Sequence, residues 1–359
     1  MIKIQASVSK GWLNTNGHFT FDSEYYLNPL FRLETDRKIN AFLRNKFPNY
    51  ALYNMEDNLV QADYYSENMV QVGAIQPNMI LAVLLGAEFS FFGNTDADVK
   101  GYPLQNISSA SELPANDDLL KHPFILELTN EIIKIQNENP DLQVIPPFFW
   151  DKSGRATIHG IITTSLKLVG ENIMTMLVLD PDLAHAIHQW ITDAYIKIVQ
   201  YFSDLTNIPI TSIHVGECSG TMLSKELYDE FVVPYISQLG DKLGVVRLHS
   251  CGKSDYLLNS IKSIKHLGIV DVGSGTSIKN IRHVIGQEVE INVFPSVDLL
   301  MEKTPREVVK NWLNTVLDEN NNGNLKIAYH LEDAYNLENC LFIHDELEKL
   351  AYIKPGRKY

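Results

Sequence analysis

The chain has 359 residues, of which 45% are hydrophobic and 21% are charged, and its formal net charge is −14. This composition is typical of a globular protein that buries a large core in one or two domains. The negative charge, with no basic cluster beyond residues 354–358, argues against nucleic acid and an anionic membrane surface as partners.

Taken in chain order, the first hundred residues are irregular and rich in Asn, Tyr and Phe. We expect residues 1–75 to form a helical and loop extension that covers the mouth of the following domain. Later in the chain, short β-branched runs alternate with longer amphipathic segments. The predicted strands are 78–85, 142–149, 211–216, 244–248, 269–272, 289–294 and 325–329. The predicted helices are 123–137, 163–170, 181–204, 224–243, 254–267, 278–285 and 304–320.

This alternation predicts an α/β fold with parallel strands joined by crossover helices. About eight such units, with no early glycine-rich phosphate loop, favour a (β/α)8 TIM barrel over a doubly wound sheet. We therefore expect residues 1–359 to form a single barrel domain. In such barrels the active site lies at the C-terminal ends of the strands.

The cellular location is predicted from the chain start, the apolar runs and the cysteines. The N-terminal residues lack the pattern of a secretion signal, in which a basic segment is followed by an apolar one. The longest apolar run, residues 79–92, is too short to cross a bilayer. Three cysteines do not form a disulfide framework in so long a chain. These features predict a cytoplasmic protein with free thiols and no membrane association.

The ends of two successive predicted strands carry residues that bind metals. His249 and Cys251 follow one strand, and Glu217 and Cys218 follow the strand before it. On an extended segment, residues two apart point to the same side, and Zn²⁺ takes imidazole nitrogen and thiolate sulfur as ligands. The alternative is structural, a buried cysteine beside a histidine that ends a strand.

Three further polar residues are expected at the same rim. Asp271 ends the next predicted strand, His330 follows the last one, and His159 follows an earlier strand end. We interpret His159 and Asp271 as candidate substrate contacts. A loop histidine without function and an aspartate that only caps a helix are the structural alternatives.

Residues 213–235, which run from Ile-His-Val-Gly-Glu-Cys to Phe-Val-Val-Pro-Tyr, resemble a hallmark segment of the uroporphyrinogen decarboxylase superfamily. Residues 246–252 resemble the next strand of that family, and residues 335–339 its last characteristic segment. The resemblance extends from about residue 140 to the end of the chain and implies a (β/α)8 barrel.

The family includes two activities that differ in what they require. Decarboxylases that act on porphyrinogens need no cofactor but use an arginine-rich N-terminal segment. The corresponding residues here, 52–58, are acidic and contain no arginine, which disfavours a substrate with many carboxylates. The other branch comprises zinc-dependent methyltransferases, whose signature is His-x-Cys followed by a further cysteine near the last strand. His249 and Cys251 match the first part of that signature.

The second part of the signature is absent, since no cysteine lies near the last predicted strand. Cys340 comes later, on a helical pattern that indicates a core residue. We therefore expect Cys218 or Glu217 as the third metal ligand and His330 as a possible fourth. Glu217 is also a candidate catalytic base for an incoming thiol or an anchor for His249.

The methyltransferase branch implies zinc, and methylcobalamin supplied as co-substrate by a separate corrinoid-binding protein. The acceptor would be a small molecule, either a thiol such as coenzyme M or a folate. A homodimer is compatible with the sequence. Two alternatives remain open at this stage: a cofactor-free decarboxylase of the same fold, and a non-catalytic member that binds a ligand or partner.

Overall fold

The computed structural model describes residues 2–50, 52–54 and 68–350 of the chain. Most of the acidic segment 52–58 and the basic residues 354–358 lie outside these ranges. The strands are β1 (Ile2–Val8), β2 (Leu52–Asn54), β3 (Met69–Gln71), β4 (Glu88–Ser90), β5 (Asp98–Lys100), β6 (Gln143–Ile145), β7 (Arg155–His159), β8 (Ser212–Gly216), β9 (Val245–Ser250), β10 (Leu267–Val272), β11 (Glu290–Val293) and β12 (Leu325–Leu331).

The α-helices are α1 (Lys10–Gly17), α2 (Ser23–Leu27), α3 (Pro29–Lys46), α4 (Pro77–Leu84), α5 (Asn116–Leu119), α6 (Pro123–Glu138), α7 (Ile161–Val169), α8 (Asn172–Leu179), α9 (Pro181–Thr206), α10 (Lys225–Phe231), α11 (Val233–Leu243), α12 (Leu258–Lys262), α13 (Ile278–Val284), α14 (Val297–Leu300), α15 (Arg306–Asn320) and α16 (Leu337–Lys349). Most of the later strands are followed by at least one helix, as a crossover connection between parallel strands requires.

The main sheet has eight strands in the order β2-β1-β12-β11-β10-β9-β8-β7, and every neighbouring pair is parallel. The sheet is curled, and helices pack against it. The chain therefore has an α/β fold built on a parallel sheet. Within the described ranges, no pairing joins its edge strands β2 and β7. The closed (β/α)8 barrel therefore stays a prediction.

Strand β9 shows how the sheet separates apolar from polar side chains. Val246 and Leu248 are buried on the face that α11 covers, whereas Arg247 and His249 alternate with them on the other face. This period-two pattern places successive side chains on opposite sides of the sheet. Barrel interiors are usually filled by branched apolar side chains. Here β9 and its neighbour β10 instead bring charged residues together, and the Arg247 guanidinium contacts Asp271.

Several sequence predictions are corrected by the structure. Residues 78–85, predicted as a strand, form helix α4, because a short apolar run fits a buried helix as well as a buried strand. Pro77 at the first helical position is a helix-start signal. The helix predicted over 254–267 is much shorter, since α12 ends at Lys262 and β10 begins at Leu267.

Part of the N-terminal range 1–75 belongs to the main sheet. The sequence analysis predicted only a helical and loop extension that covers the mouth of the domain. Strand β1 pairs with β12 along its whole length and with β2 on its other side. Strand β7 was also missed; it pairs with β8 and ends at His159. Both segments contain polar residues that weaken the apolar signal of a buried strand.

Among the described residues, no single helix is long and apolar enough to cross a membrane. By length and composition, helices α7 and α8 taken together would suffice for a membrane span, but they meet at an angle of 114°.

Candidate metal centre

Three side chains converge where β8 and β9 end. Gly216 pairs with His249 across the two strands, so Cys218 and Cys251, each two residues further along, become neighbours. The Sγ atoms of the two cysteines lie 2.8 Å apart, and His249 Nε2 lies 2.9 Å from Cys251 Sγ. All three donor atoms lie within 4.8 Å of one another.

The donor set of Cys218, His249 and Cys251 fits zinc. Zinc bonds of about 2.3 Å to sulfur and about 2.0 Å to nitrogen, in tetrahedral geometry, separate donor atoms by roughly 3.5–3.8 Å. Small side-chain movements bring three atoms that are already within 4.8 Å into that arrangement. Three protein ligands leave one coordination position for a substrate, which is the pattern of catalytic zinc sites.

Asp271 and Arg247 orient the histidine. His249 Nδ1 lies 3.2 Å from Asp271 Oδ1, which leaves Nε2 facing the sulfur atoms. The other carboxylate oxygen, Oδ2, accepts hydrogen bonds from Arg247 Nε at 3.1 Å and from Nη2. The guanidinium lies 5.0 Å from the ring centre of Trp150. A carboxylate behind a ligating imidazole fixes the tautomer and the orientation of the ring.

The charges of this group follow from those contacts. Burial favours the neutral form of Asp271, but the charge of Arg247 and the contact with His249 hold the pKa of its carboxyl below the ordinary value. Burial also disfavours a charged imidazole, yet the contacts with Asp271 and Cys218 raise the pKa of His249 to about 10. These contacts favour the charged forms of both His249 and Asp271.

The two sulfur atoms share their protons unequally. The hydrogen bonds from Cys251 and His249 lower the pKa of Cys218 to about 4, although burial acts in the opposite direction. The hydrogen bond to Cys218 and burial raise the pKa of Cys251. These contacts favour the thiolate at Cys218, the form in which cysteine binds metals.

Glu217 lies next to this cluster but serves a different contact. Its carboxylate accepts hydrogen bonds from the backbone N–H of Ile162 at 3.1 Å, and from the N–H and hydroxyl of Thr163 at 3.0 Å each. These groups belong to the first turn of α7, whose N-cap, Gly160, has no side chain to satisfy them. A Cβ atom at Gly160 would lie 2.3 Å from Glu217 Oε2. Glu217 therefore caps α7, and burial raises the pKa of this carboxyl to about 7 in spite of the hydrogen bonds.

A sequence model described as uroporphyrinogen decarboxylase (URO-D) matches residues 79–327, which is more than half of the chain. The chain belongs to the uroporphyrinogen decarboxylase family. The family resemblance inferred from the sequence motifs is thereby confirmed. The match does not distinguish the zinc-dependent methyltransferases from the other branches of the family.

The structure of this family member is similar to that of a methyltransferase from Methanosarcina mazei. The two share a TM-score of 0.63 and 15% sequence identity, over 98% of this chain and 94% of the other. At that identity the similarity shows the fold alone. No match to a curated protein was found at the sequence level.

Two other residues predicted for the site are placed as follows. His159, the last residue of β7, pairs with Gly216 of β8 and therefore lies beside the loop that carries Cys218. Its Nδ1 is buried and has no hydrogen-bond partner in the described part of the chain, and burial lowers the pKa of the ring to about 4. His330 lies within β12, with Nε2 3.5 Å from Glu332 Oε1, and is not part of the three-donor cluster.

Sequence reasoning did not identify Arg247, Trp150 or His214. The His214 ring centre lies 5.8 Å from that of His249 and 5.1 Å from that of Trp150, and its Nδ1 is buried without a partner among the described residues. His214 could have been found from the alternation of polar and apolar residues along β8. It lies between the buried Ile213 and Val215, so it faces the same side of the sheet as the site. In this uroporphyrinogen decarboxylase family member, these residues pack around His249 and Asp271.

Proposed function

We propose that this protein is a zinc-dependent methyltransferase with a (β/α)8 barrel fold. It would act in the cytoplasm, take a methyl group from a methylated corrinoid carried by a separate protein, and transfer it to a small thiol or a similar acceptor. The observation that carries this proposal is the cluster of Cys218, His249 and Cys251 at the C-terminal ends of β8 and β9. Family membership and the fold shared with a methyltransferase support it.

In this proposal His249 Nε2 and the sulfur atoms of Cys218 and Cys251 hold the zinc. When bound, zinc makes an acceptor thiol lose its proton near neutral pH. Asp271 holds the imidazole in the tautomer that directs Nε2 toward the sulfur atoms, which replaces its earlier interpretation as a substrate contact. Glu217 is assigned to the N-terminus of α7 rather than to the metal or to proton transfer.

The methyl transfer itself is a displacement. The acceptor thiol would lose its proton to solvent, and its sulfur would attack the methyl carbon of the corrinoid co-substrate. The carbon–cobalt bond would break with its electron pair going to cobalt, so that the corrinoid would leave as Co(I). Cys251 is exposed, so the cluster can be reached from solvent by an acceptor and by a corrinoid on another protein. We propose that His159, whose buried Nδ1 has no hydrogen-bond partner among the described residues, contacts the acceptor.

The test is the reaction of methylcobalamin with candidate thiols and folates, followed by the absorbance of the corrinoid. We expect an acceptor-dependent shift to the Co(I) or Co(II) spectrum with the wild type and with Cys340→Ser, whose thiol is fully buried in α16. Cys251→Ser should reduce the rate by about 100-fold or more, because the zinc loses a ligand. No spectral change with any acceptor would favour a non-catalytic ligand-binding member. Release of carbon dioxide from a carboxylated substrate without metal would favour a decarboxylase.

A further inference from the structure

We propose that Cys218 and Cys251 form a reversible disulfide when the protein meets a peroxide. The effect on metal binding rests on the proposed function, but the bond itself can be tested on metal-free protein. The inference comes from the strand register, the exposure of the thiols and the position of the third cysteine.

The backbone brings the two cysteines to bonding distance. The β8–β9 pairing continues past the strand ends, because Glu217 N donates a hydrogen bond to His249 O at 2.8 Å. Neighbouring strands lie about 4.8 Å apart, and disulfides join Cα atoms about 4.4–6.8 Å apart. The sulfur atoms are already 2.8 Å apart, so a small rotation of the side chains is enough to join them.

The thiols differ in accessibility. Cys251 is exposed and Cys218 is half-buried, whereas Cys340 is fully buried. The sequence contains three cysteines, so no further thiol competes within the chain. An oxidant in solution therefore reaches Cys251 first, and Cys218 is the neighbour that can complete the bond.

The reaction balances with hydrogen peroxide as the oxidant. The thiol of Cys251 passes its proton to the sulfur of Cys218, which lies 2.8 Å away, and thereby becomes the thiolate that reacts. That thiolate attacks one peroxide oxygen, the O–O bond breaks, and the departing hydroxide takes up a proton to leave as water, so that Cys251 becomes a sulfenic acid. The sulfur of Cys218 then attacks the sulfur of Cys251, the S–O bond breaks, and a second water leaves. Two thiols are oxidised and one peroxide is reduced to two waters. A dithiol reductant reverses the bond by exchange.

The disulfide would remove the metal. Zinc binds thiolates, and a disulfide offers none, so only His249 of the three donors would remain. Oxidation would therefore release the ion and reduction would allow it to bind again.

The experiment treats chelator-stripped protein with hydrogen peroxide. We expect the intact mass to fall by about 2 Da and the titratable thiols of the denatured protein to fall from three to one. Peptide mapping should join Cys218 to Cys251, and dithiothreitol should restore both thiols. The matched control Cys340→Ser should lose the same mass. Cys218→Ser should keep a sulfenic acid on Cys251 that dimedone labels.

Two outcomes would overturn the disulfide: addition of oxygen without a loss of two hydrogens, or a linked peptide that contains Cys340. A parallel arm oxidises zinc-loaded protein and follows released zinc with a chromogenic chelator. Zinc release in step with the mass change supports the link to the metal. If the disulfide forms but the protein never binds zinc, the redox pair stands and the proposed metal function fails.

Discussion

The contact that matters most at the residue scale is the one between His249 and Asp271. The carboxylate determines which imidazole nitrogen faces the sulfur atoms, and Arg247 fixes the carboxylate. His249, Cys251 and Cys218 could be predicted from the sequence because each lies at or just beyond the C-terminal end of a strand with a clear apolar pattern. Arg247, His214 and Trp150 could not, because a polar residue inside a curled sheet looks like an exposed one in a single sequence.

Substitution of the anchoring carboxylate tests this contact. We expect Asp271→Asn to weaken zinc binding by about 10–100-fold, because an orienting partner of a ligating histidine is lost. The measurement is competition with a chromogenic chelator. The matched control is Asp241→Asn, which disrupts an exposed carboxylate–imidazole pair outside the three-donor cluster. In that pair Asp241 Oδ1 lies 3.0 Å from His266 Nε2. Equal affinity in Asp271→Asn and the wild type would show that the contact does not support the metal.

The buried carboxyl of Glu217 predicts a pH dependence of stability. Its pKa rises from 4.5 to about 7 on folding. The folded state then binds the proton more tightly than the unfolded state, so its contribution to stability is fully present below 4.5 and is lost as the pH rises through about 7.

The test compares the free energy of unfolding of the wild type and Glu217→Gln in denaturant at several pH values between about 4 and 8. We expect the wild type to lose stability relative to the variant as the pH rises. A difference that is constant, or that grows in favour of the wild type with rising pH, would contradict a carboxyl whose pKa is raised by burial on folding.

At the scale of elements, the alternation of strands and helices from β8 to β12 was predictable, since each strand is a short β-branched run. The structure confirms these strands within a few residues at each end. The strand predicted over residues 78–85 was wrong, because helix α4 is short and apolar on nearly all sides and so resembles a buried strand. Strand β7 was missed because Arg155, Thr157 and His159 alternate with its two buried residues and lower its apolar content.

The loop after β8 is held against the first turn of α7 by the hydrogen bonds that Glu217 accepts. This contact positions Cys218, the next residue of the loop. We expect Gly160→Ala to reduce the free energy of unfolding by about 1–3 kcal/mol, because its Cβ would lie 2.3 Å from Glu217 Oε2. Zinc affinity should fall with it, since Glu217 precedes Cys218. The control is Gly11→Ala, where the nearest atoms lie 3.8 Å from the new Cβ. Unchanged stability in Gly160→Ala would mean that Glu217 does not hold the helix in solution.

For the whole molecule, the first strand decides whether the N-terminal range is part of the domain. Strand β1 covers β12 along its whole length and buries Ala6 and Val8. The strand signal is weak here, since Lys3, Gln5 and Ser7 alternate with apolar residues in this segment.

Deletion of residues 1–8 would leave one side of β12 unpaired and expose apolar surface. We expect the shortened protein to lose cooperative thermal unfolding or to aggregate, as measured by circular dichroism and size-exclusion chromatography. A shortened protein that remains monodisperse with an unchanged melting temperature would support the earlier expectation of an extension that only covers the mouth of the domain.

The most direct test of the account is the zinc content of the purified protein. Wild type and Cys340→Ser should each hold close to one zinc per chain after exchange into metal-free buffer. Cys218→Ser and Cys251→Ser should each hold much less, because each removes one of the three donors that meet after β8 and β9. Negligible zinc in the wild type, or equal zinc in all four proteins, would contradict the metal centre on which the proposed chemistry depends.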